Sequence, residues 1–84
     1  MGGEDLSDKL LEIAGLAAEA LERRGFVSVA RKRDGVVTLE WWKTVGMKRF
    51  HMSRVIKDAE LTPDILAEMC AADFRAASGH ATPS

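Results

Sequence analysis

Hydrophobic residues recur at helical spacing near the beginning of the chain. They fall on one side of a helix predicted over about residues 6–24, and they are Leu6, Leu10, Ile13, Ala14, Ala17 and Leu21. Asp5 is the predicted N-cap of this helix. Gly25 followed by Phe26 predicts a Schellman ending, in which Phe26 contacts Leu21.

A second helix is predicted from the pattern near the end of the chain. Thr62 is its predicted N-cap, and Pro63 and Asp64 suit the first helical positions. Leu61 and Leu66 have the spacing of a hydrophobic staple, and Gly79 is the predicted stop. The buried side of this helix is predicted to consist of Leu66, Met69, Cys70, Phe74 and Ala77.

Between the helices the pattern changes to alternation, which predicts strands over about residues 27–31, 37–42 and 49–55. Asp34-Gly35 is a hairpin signal that allows two registers. A two-residue turn places Val27 and Val29 on the face of Trp42. A three-residue turn with a glycine bulge instead places both valines with Trp41, and it is preferred because it gathers the apolar residues on one face.

The third strand is predicted to follow a turn around Val45-Gly46. One face then pairs Trp41 with Phe50 and Leu39 with Met52. The opposite face pairs Trp42 with Arg49, Glu40 with His51, and Thr38 with Ser53.

These elements predict an α+β domain in the order helix, three-strand antiparallel meander, helix. Both helices are expected on one face of the sheet, because three strands need a covered face to be stable. The prediction is one domain over residues 1–84, with an ordered core at about 5–78 and flexible ends at 1–4 and 79–84.

The other face of the sheet is the candidate functional surface. It is expected to show Ser28, Ala30, Lys32, Thr38, Glu40, Trp42, Arg49, His51 and Ser53. Trp42 is the predicted anchor, because a large aromatic on a solvated strand face is typical of a binding surface. The alternative is that Trp42 only packs over Arg49 as a cation–π pair and shields the sheet.

Charge is strongly segregated along the chain. The stretch Arg23–Lys57 holds ten of the twelve basic residues but only two of the thirteen acids, so its charge is +8 in a chain of net charge −1. The acids lie mainly in the two predicted helices. Basic residues at the hairpin ends, including Lys32, Lys43 and Lys48, favour an anionic partner. The alternative is that they protect strand edges and aid solubility.

Composition argues against several other functions. Cys70 is the only cysteine, so no internal disulfide is predicted, and it lacks metal-ligand spacing to His51 or His80. Glu40 and His51 have no predictable third partner, so they are interpreted as a cross-strand pair and not as catalytic groups. A non-enzymatic protein without cofactor or metal is predicted. No apolar run is long enough for a membrane span, which favours a soluble, cytoplasmic protein.

The predicted order of elements is similar in outline to the double-stranded-RNA-binding domain over roughly residues 5–78. In that family a lysine-rich element at the start of the second helix grips phosphates. The corresponding residues here, Thr62-Pro63-Asp64-Ile65-Leu66-Ala67-Glu68, include two acids and no base. The resemblance is therefore one of topology, and it transfers no functional residue.

The preferred hypothesis is a small binding module that engages an anionic macromolecule, either nucleic acid or an acidic protein surface. The residues predicted to contact it are Trp42, Arg49, Lys32, Lys43, Lys48 and His51. A second hypothesis is a protein-interaction or inhibitor module, as from a phage or mobile element, acting on a host protein through its acidic helices. A third is a homodimer formed through the sheet; a monomer is also compatible with the pattern.

Overall fold

The computed structural model describes residues 6–79 and has the predicted order of elements. The helices and strands are α1 (Leu6–Arg23), β1 (Val27–Arg33), β2 (Val36–Val45), β3 (Lys48–Ile56) and α2 (Pro63–Gly79). The strands form one antiparallel sheet in the order β1-β2-β3. The predicted α+β fold class is confirmed. The N-cap predicted at Asp5 lies outside the described residues, and so do the flexible ends predicted at 1–4 and 79–84, except for Gly79, which is the last residue of α2.

The end of α1 confirms the predicted Schellman motif. Phe26 N–H donates to the Leu21 carbonyl at 3.0 Å, and Gly25 N–H donates to the Glu22 carbonyl at 3.0 Å. Gly25 has a φ of 95°, a conformation that glycine adopts without the steric penalty of a side chain. The last carbonyls of α1 are thus satisfied while the chain turns into β1.

The start of α2 also follows the prediction. Thr62 Oγ1 accepts a hydrogen bond from Ile65 N–H at 3.2 Å, the geometry of an N-cap. Leu61 packs against the core next to this turn. The side of α2 that faces the core consists of Leu66, Ala67, Cys70, Ala71 and Phe74, whereas Met69 is half-buried and Ala77 is exposed.

Both helices lie on the same face of the sheet, called the covered face here. α1 contacts β1 and β2 and packs against α2, while α2 contacts β3. The α2–β3 contacts include an ion pair between Asp73 and Arg54 at 3.5 Å. This pair joins the second half of β3 to the second half of α2. The side chains that are wholly buried between the layers include Leu21, Leu39, Trp41 and Leu66.

The first hairpin has a different register from the predicted one. Asp34 and Gly35 have φ values of 54° and 77°, so they form a two-residue turn, and Arg33 pairs with Val36. The predicted three-residue turn is wrong. Two successive residues with positive φ match the right-handed twist of the strands, which is why Asp-Gly favours this turn.

This register reverses the two faces of β1. Ser28 and Ala30 lie on the covered face, and Val27 and Val29 lie on the other. The physical reason is the close approach of α1, whose buried surface includes the small residues Ala17 and Ala18. Ser28 Oγ donates to the Ala18 carbonyl at 2.6 Å, a contact for which valine has no donor.

The second hairpin turns at Gly46-Met47, with Val45 opposite Lys48. Each predicted cross-strand pair is therefore displaced by two residues, so that Trp41 faces Met52 and Trp42 faces His51. A displacement of two keeps every side chain on its predicted face. The predicted faces of β2 and β3 are correct although their pairs are not. None of the helices within residues 6–79 is long and apolar enough to cross a membrane.

Candidate binding face

The face of the sheet opposite the helices is called the open face here, and the register defines its rows. One row consists of Val27, Trp42 and His51. The next rows are Val29 with Glu40 and Ser53, and Arg31 with Thr38 and Val55. Arg33 and Val36 continue this face towards the first turn, and Thr44 and Arg49 continue it towards the second.

Trp42 is the largest side chain on the open face and is partly exposed. Its ring centroid lies 5.4 Å from that of His51, at an interplanar angle of 31°. The Arg49 guanidinium carbon lies 5.8 Å from the Trp42 ring centroid, within cation–π range. Trp42 and Arg49 are thus in contact diagonally across β2 and β3.

Glu40 lies near the middle of the open face between two basic groups. Its Oε1 atom lies 3.3 Å from His51 Nε2, and its Oε2 atom lies 3.8 Å from Arg31 Nε. The His51 side chain is 51% exposed, so the pair is in contact with water. Glu40 is therefore within hydrogen-bonding distance of His51 and forms a water-exposed ion pair with Arg31.

The open face combines cations with apolar side chains. Arg31, Arg33 and Arg49 are exposed. Among the described strand residues of the open face, Glu40 is the only acid. The exposed valines of this face are Val27 at 52%, Val36 at 48% and Val55 at 49%. Arginine, tryptophan and aliphatic side chains together are typical of a protein-binding surface.

Three of the six residues predicted to contact a partner come together on the open face: Trp42, Arg49 and His51. Lys48 is exposed at the end of the second hairpin. The prediction that Lys32 lies on the open face is wrong. The two-residue turn places it on the covered face, where its Nζ atom bonds to the Asp8 carboxylate of α1.

Lys43 also lies apart from Trp42. Lys43 follows Trp42 in β2, so its side chain points to the covered face. It lies at the end of the sheet that α1 does not reach. Its Nζ atom lies 5.1 Å from the Phe26 ring centroid. The six predicted residues therefore do not form one continuous site.

Sequence reasoning missed the part of the open face that β1 contributes: Val27, Val29, Arg31 and Arg33. Arg31 lies on this face opposite Thr38, with its Nε atom 3.8 Å from Glu40 Oε2. The Asp34-Gly35 dipeptide was the signal that could have found these residues, since it is the strongest short-range indication of a two-residue turn.

Cys70 lies in the core, away from the open face. Burial raises the pKa of its thiol to about 11, with a smaller opposing effect of Arg54. A thiol with such a pKa is a poor nucleophile at neutral pH. Within residues 6–79, no group of three or more His, Cys, Asp or Glu side chains is arranged to hold a metal ion.

Comparison of the chain with protein-family models, curated proteins and solved structures gave no significant match. The similarity to the double-stranded-RNA-binding domain is therefore a similarity in the order of elements alone.

Proposed function

We propose that this protein is a non-enzymatic binding module of the cytoplasm whose open face engages an anionic partner. The observation that carries the proposal is the cluster formed by Trp42, Arg49 and His51. Arg31 and Arg33 add positive charge from β1 on the same face. A partly exposed tryptophan with one arginine on its ring, and further arginines on the same face, suits a surface that combines negative charge with apolar groups.

An acidic protein surface fits this face better than nucleic acid does. Val27, Val36 and Val55 expose about half of their surface on the open face, and phosphates offer no partner for them. Glu40 lies near the middle of the face, where it would repel a nucleic-acid backbone. Lys32, which would add a phosphate contact, is bonded to Asp8 on the other side of the sheet.

The test uses a synthetic amphipathic peptide of alternating glutamate and leucine, with single-stranded oligothymidylate as the competing probe. Amide chemical-shift mapping locates each contact, and titration calorimetry gives the affinity. The peptide is expected to shift the amides of Val27, Val29 and Trp42. Arg49→Glu should weaken peptide binding by about tenfold or more, since it reverses a charge beside the anchor.

Lys9→Glu is the matched control. It makes the same charge change at an exposed position of α1, away from the open face. It should change the peptide affinity by less than about twofold, because distant surface charges are screened by salt. Equal effects of the two substitutions would show that net charge alone drives binding, and would contradict the proposal.

Other results point to the other hypotheses. Tighter binding of oligothymidylate than of the peptide, with a steep decrease in salt, would replace the protein partner by nucleic acid. Peptide-induced shifts confined to the helices would reject the open face. Shifts of open-face amides that depend on protein concentration, without any probe, would identify this face as a homodimer interface.

A further inference from the structure

A second feature of the molecule is a groove on the helix side of the sheet, at the end where α1 stops. It has a volume of about 450 Å³ and lies between the last part of β2 and the second half of α2. This hairpin groove is lined chiefly by Arg24, Phe26, Lys43, Val45, Phe74 and Arg75. Its volume is within the range of small-molecule sites, about 300–1,000 Å³.

The inner wall of the hairpin groove is aromatic and well packed. Phe26 and Phe74 are only 8% and 4% exposed to solvent. Their rings pack edge to face, with 4.9 Å between the ring centroids. Phe50 supports Phe74 from β3 at 5.9 Å. Held in this way, the two rings present a small but preformed apolar surface to the groove.

The rim of the hairpin groove is positively charged. Lys43 Nζ lies over the Phe26 ring, and neither Lys43 nor Arg75 forms an ion pair with another residue in the range 6–79. Arg24 is bonded to Glu68 at 2.8 Å, and this contact lowers the pKa of the Glu68 carboxyl. Among the described residues that line the groove there is no acid.

Neither Lys43 nor Arg75 donates a side-chain hydrogen bond to another residue in the range 6–79. At the end of α1, the carbonyls of Leu21 and Glu22 accept hydrogen bonds from the backbone N–H groups of Phe26 and Gly25. In α2, the Phe74 carbonyl accepts a bond from Ser78 Oγ at 2.9 Å. The donors of Lys43 and Arg75 are therefore available to a ligand in the groove.

We propose that the hairpin groove binds a small amphiphilic anion. The aromatic or acyl part of the ligand lies against Phe26 and Phe74, and its carboxylate, sulfonate or phosphate is held by Lys43 and Arg75. Both halves of the ligand are required. The rings supply apolar contact area, and the two cations supply charge-assisted hydrogen bonds next to a surface from which the ligand displaces water.

The experiment compares naphthoate with naphthylmethanol, two ligands of similar shape that differ in charge. Binding is followed by amide chemical-shift mapping. Naphthoate is expected to give saturable shifts at Phe26, Val45 and Phe74 and to bind at least about tenfold more tightly than the alcohol. Equal affinities, or shifts that avoid these three residues, would overturn the proposal.

The lysine has a matched control in the first half of α1, away from the groove. Lys43→Gln should weaken naphthoate binding by about tenfold, whereas Lys9→Gln, at an exposed position outside the groove lining, should leave it unchanged. Arg75→Gln is a second variant at an exposed position, in case Lys43→Gln perturbs the packing of Phe26. Unchanged affinity in both Lys43→Gln and Arg75→Gln would exclude the proposed anion contacts.

The hairpin groove and the open face are tested independently. Trp42→Ala should leave naphthoate binding unchanged, because Trp42 lies on the opposite face of the sheet. Lys43→Gln should likewise leave the acidic peptide bound to the open face. Loss of naphthoate binding in Trp42→Ala would mean that the ligand occupies the open face and not the groove.

Discussion

The covered face and the open face of the sheet differ most at two adjacent residues of the same type. Trp41 is completely buried between the sheet and the helices. Trp42, the next residue of β2, is partly exposed and packs against His51 and Arg49. They differ only because successive side chains of a strand point to opposite faces of the sheet. The same side chain therefore stabilises the core at one position and is available to a partner at the next.

The two faces also differ in how β1 contributes to them. On the covered face β1 presents the small side chains Ser28 and Ala30, and on the open face it presents Val27 and Val29. The covered face is thus not made of the most apolar residues at every position. Where α1 lies close to the sheet, small size and a hydrogen-bond donor matter more than hydrophobicity.

The largest expected difference between the faces is in the free energy of unfolding of two tryptophan variants. Trp41→Ala should lower it by about 3–5 kcal/mol, because a cavity opens in the core. Trp42→Ala should lower it by less, about 1–2 kcal/mol, because Trp42 is only partly buried and its contacts with Arg49 and His51 lie at the surface. Urea unfolding followed by circular dichroism measures both values.

A small domain has a stability of only about 5–15 kcal/mol, so the loss in Trp41→Ala reduces the amount of folded protein to titrate. Trp41→Phe, which removes less volume, then supplies the comparison and should cost more than Trp42→Phe. Similar losses for the two positions would mean that the open face is covered as well.

A second pair of variants tests the reversed faces of β1. Ser28→Val should destabilise the fold by about 1–3 kcal/mol, because it crowds α1 and removes the hydrogen bond to the Ala18 carbonyl. Val29→Ser, on the open face, should cost less than about 1 kcal/mol. Thermal unfolding of the two variants beside the parent protein decides the order.

The opposite order, with Val29→Ser the more harmful, is what the three-residue turn requires. In that register Val29 would lie under the helices and Ser28 would lie in water. This pair of variants therefore distinguishes the two hairpin registers without a new structure.

The elements of the fold could be predicted from local signals because their causes are local. The Schellman ending at Gly25 and the N-cap at Thr62 depend on neighbours within a few residues, and both are confirmed. The register of the first hairpin depends on two conditions that conflict in the sequence. The apolar pattern favours Val29 inside, whereas Asp34-Gly35 favours the two-residue turn. The turn prevails because α1 needs small residues beneath it.

The same conflict between hairpin registers explains which residues of the candidate site were predicted on the correct face. Trp42, Arg49 and His51 were placed together correctly because the faces of β2 and β3 tolerate a displacement of two residues. Lys32 was misplaced because a change of one residue in the turn moves every side chain of β1 to the other face. Lys43 was grouped with Trp42 by its position in the chain, although successive strand residues point in opposite directions.

The smallest expected effect concerns Cys70, whose thiol is buried between the sheet and the helices. Its pKa is raised to about 11 from 9.0, so the folded state holds the thiol proton where the unfolded chain has lost it. Below pH 9 both states are protonated and the stability is fully present. As the pH rises from 9 towards 11 the unfolded state binds fewer protons, so the free energy of unfolding falls, by about 1–2 kcal/mol.

Urea unfolding between pH 8 and 11 measures this decrease, and Cys70→Ala should remove it. Trp42→Ala should retain it, since Trp42 lies on the open face and contributes nothing to the burial of the thiol. An equal decrease in Cys70→Ala would assign the alkaline sensitivity to groups other than the buried thiol. The burial of Cys70 between the sheet and the helices would then stabilise the fold through packing alone, without contributing to the dependence of stability on pH.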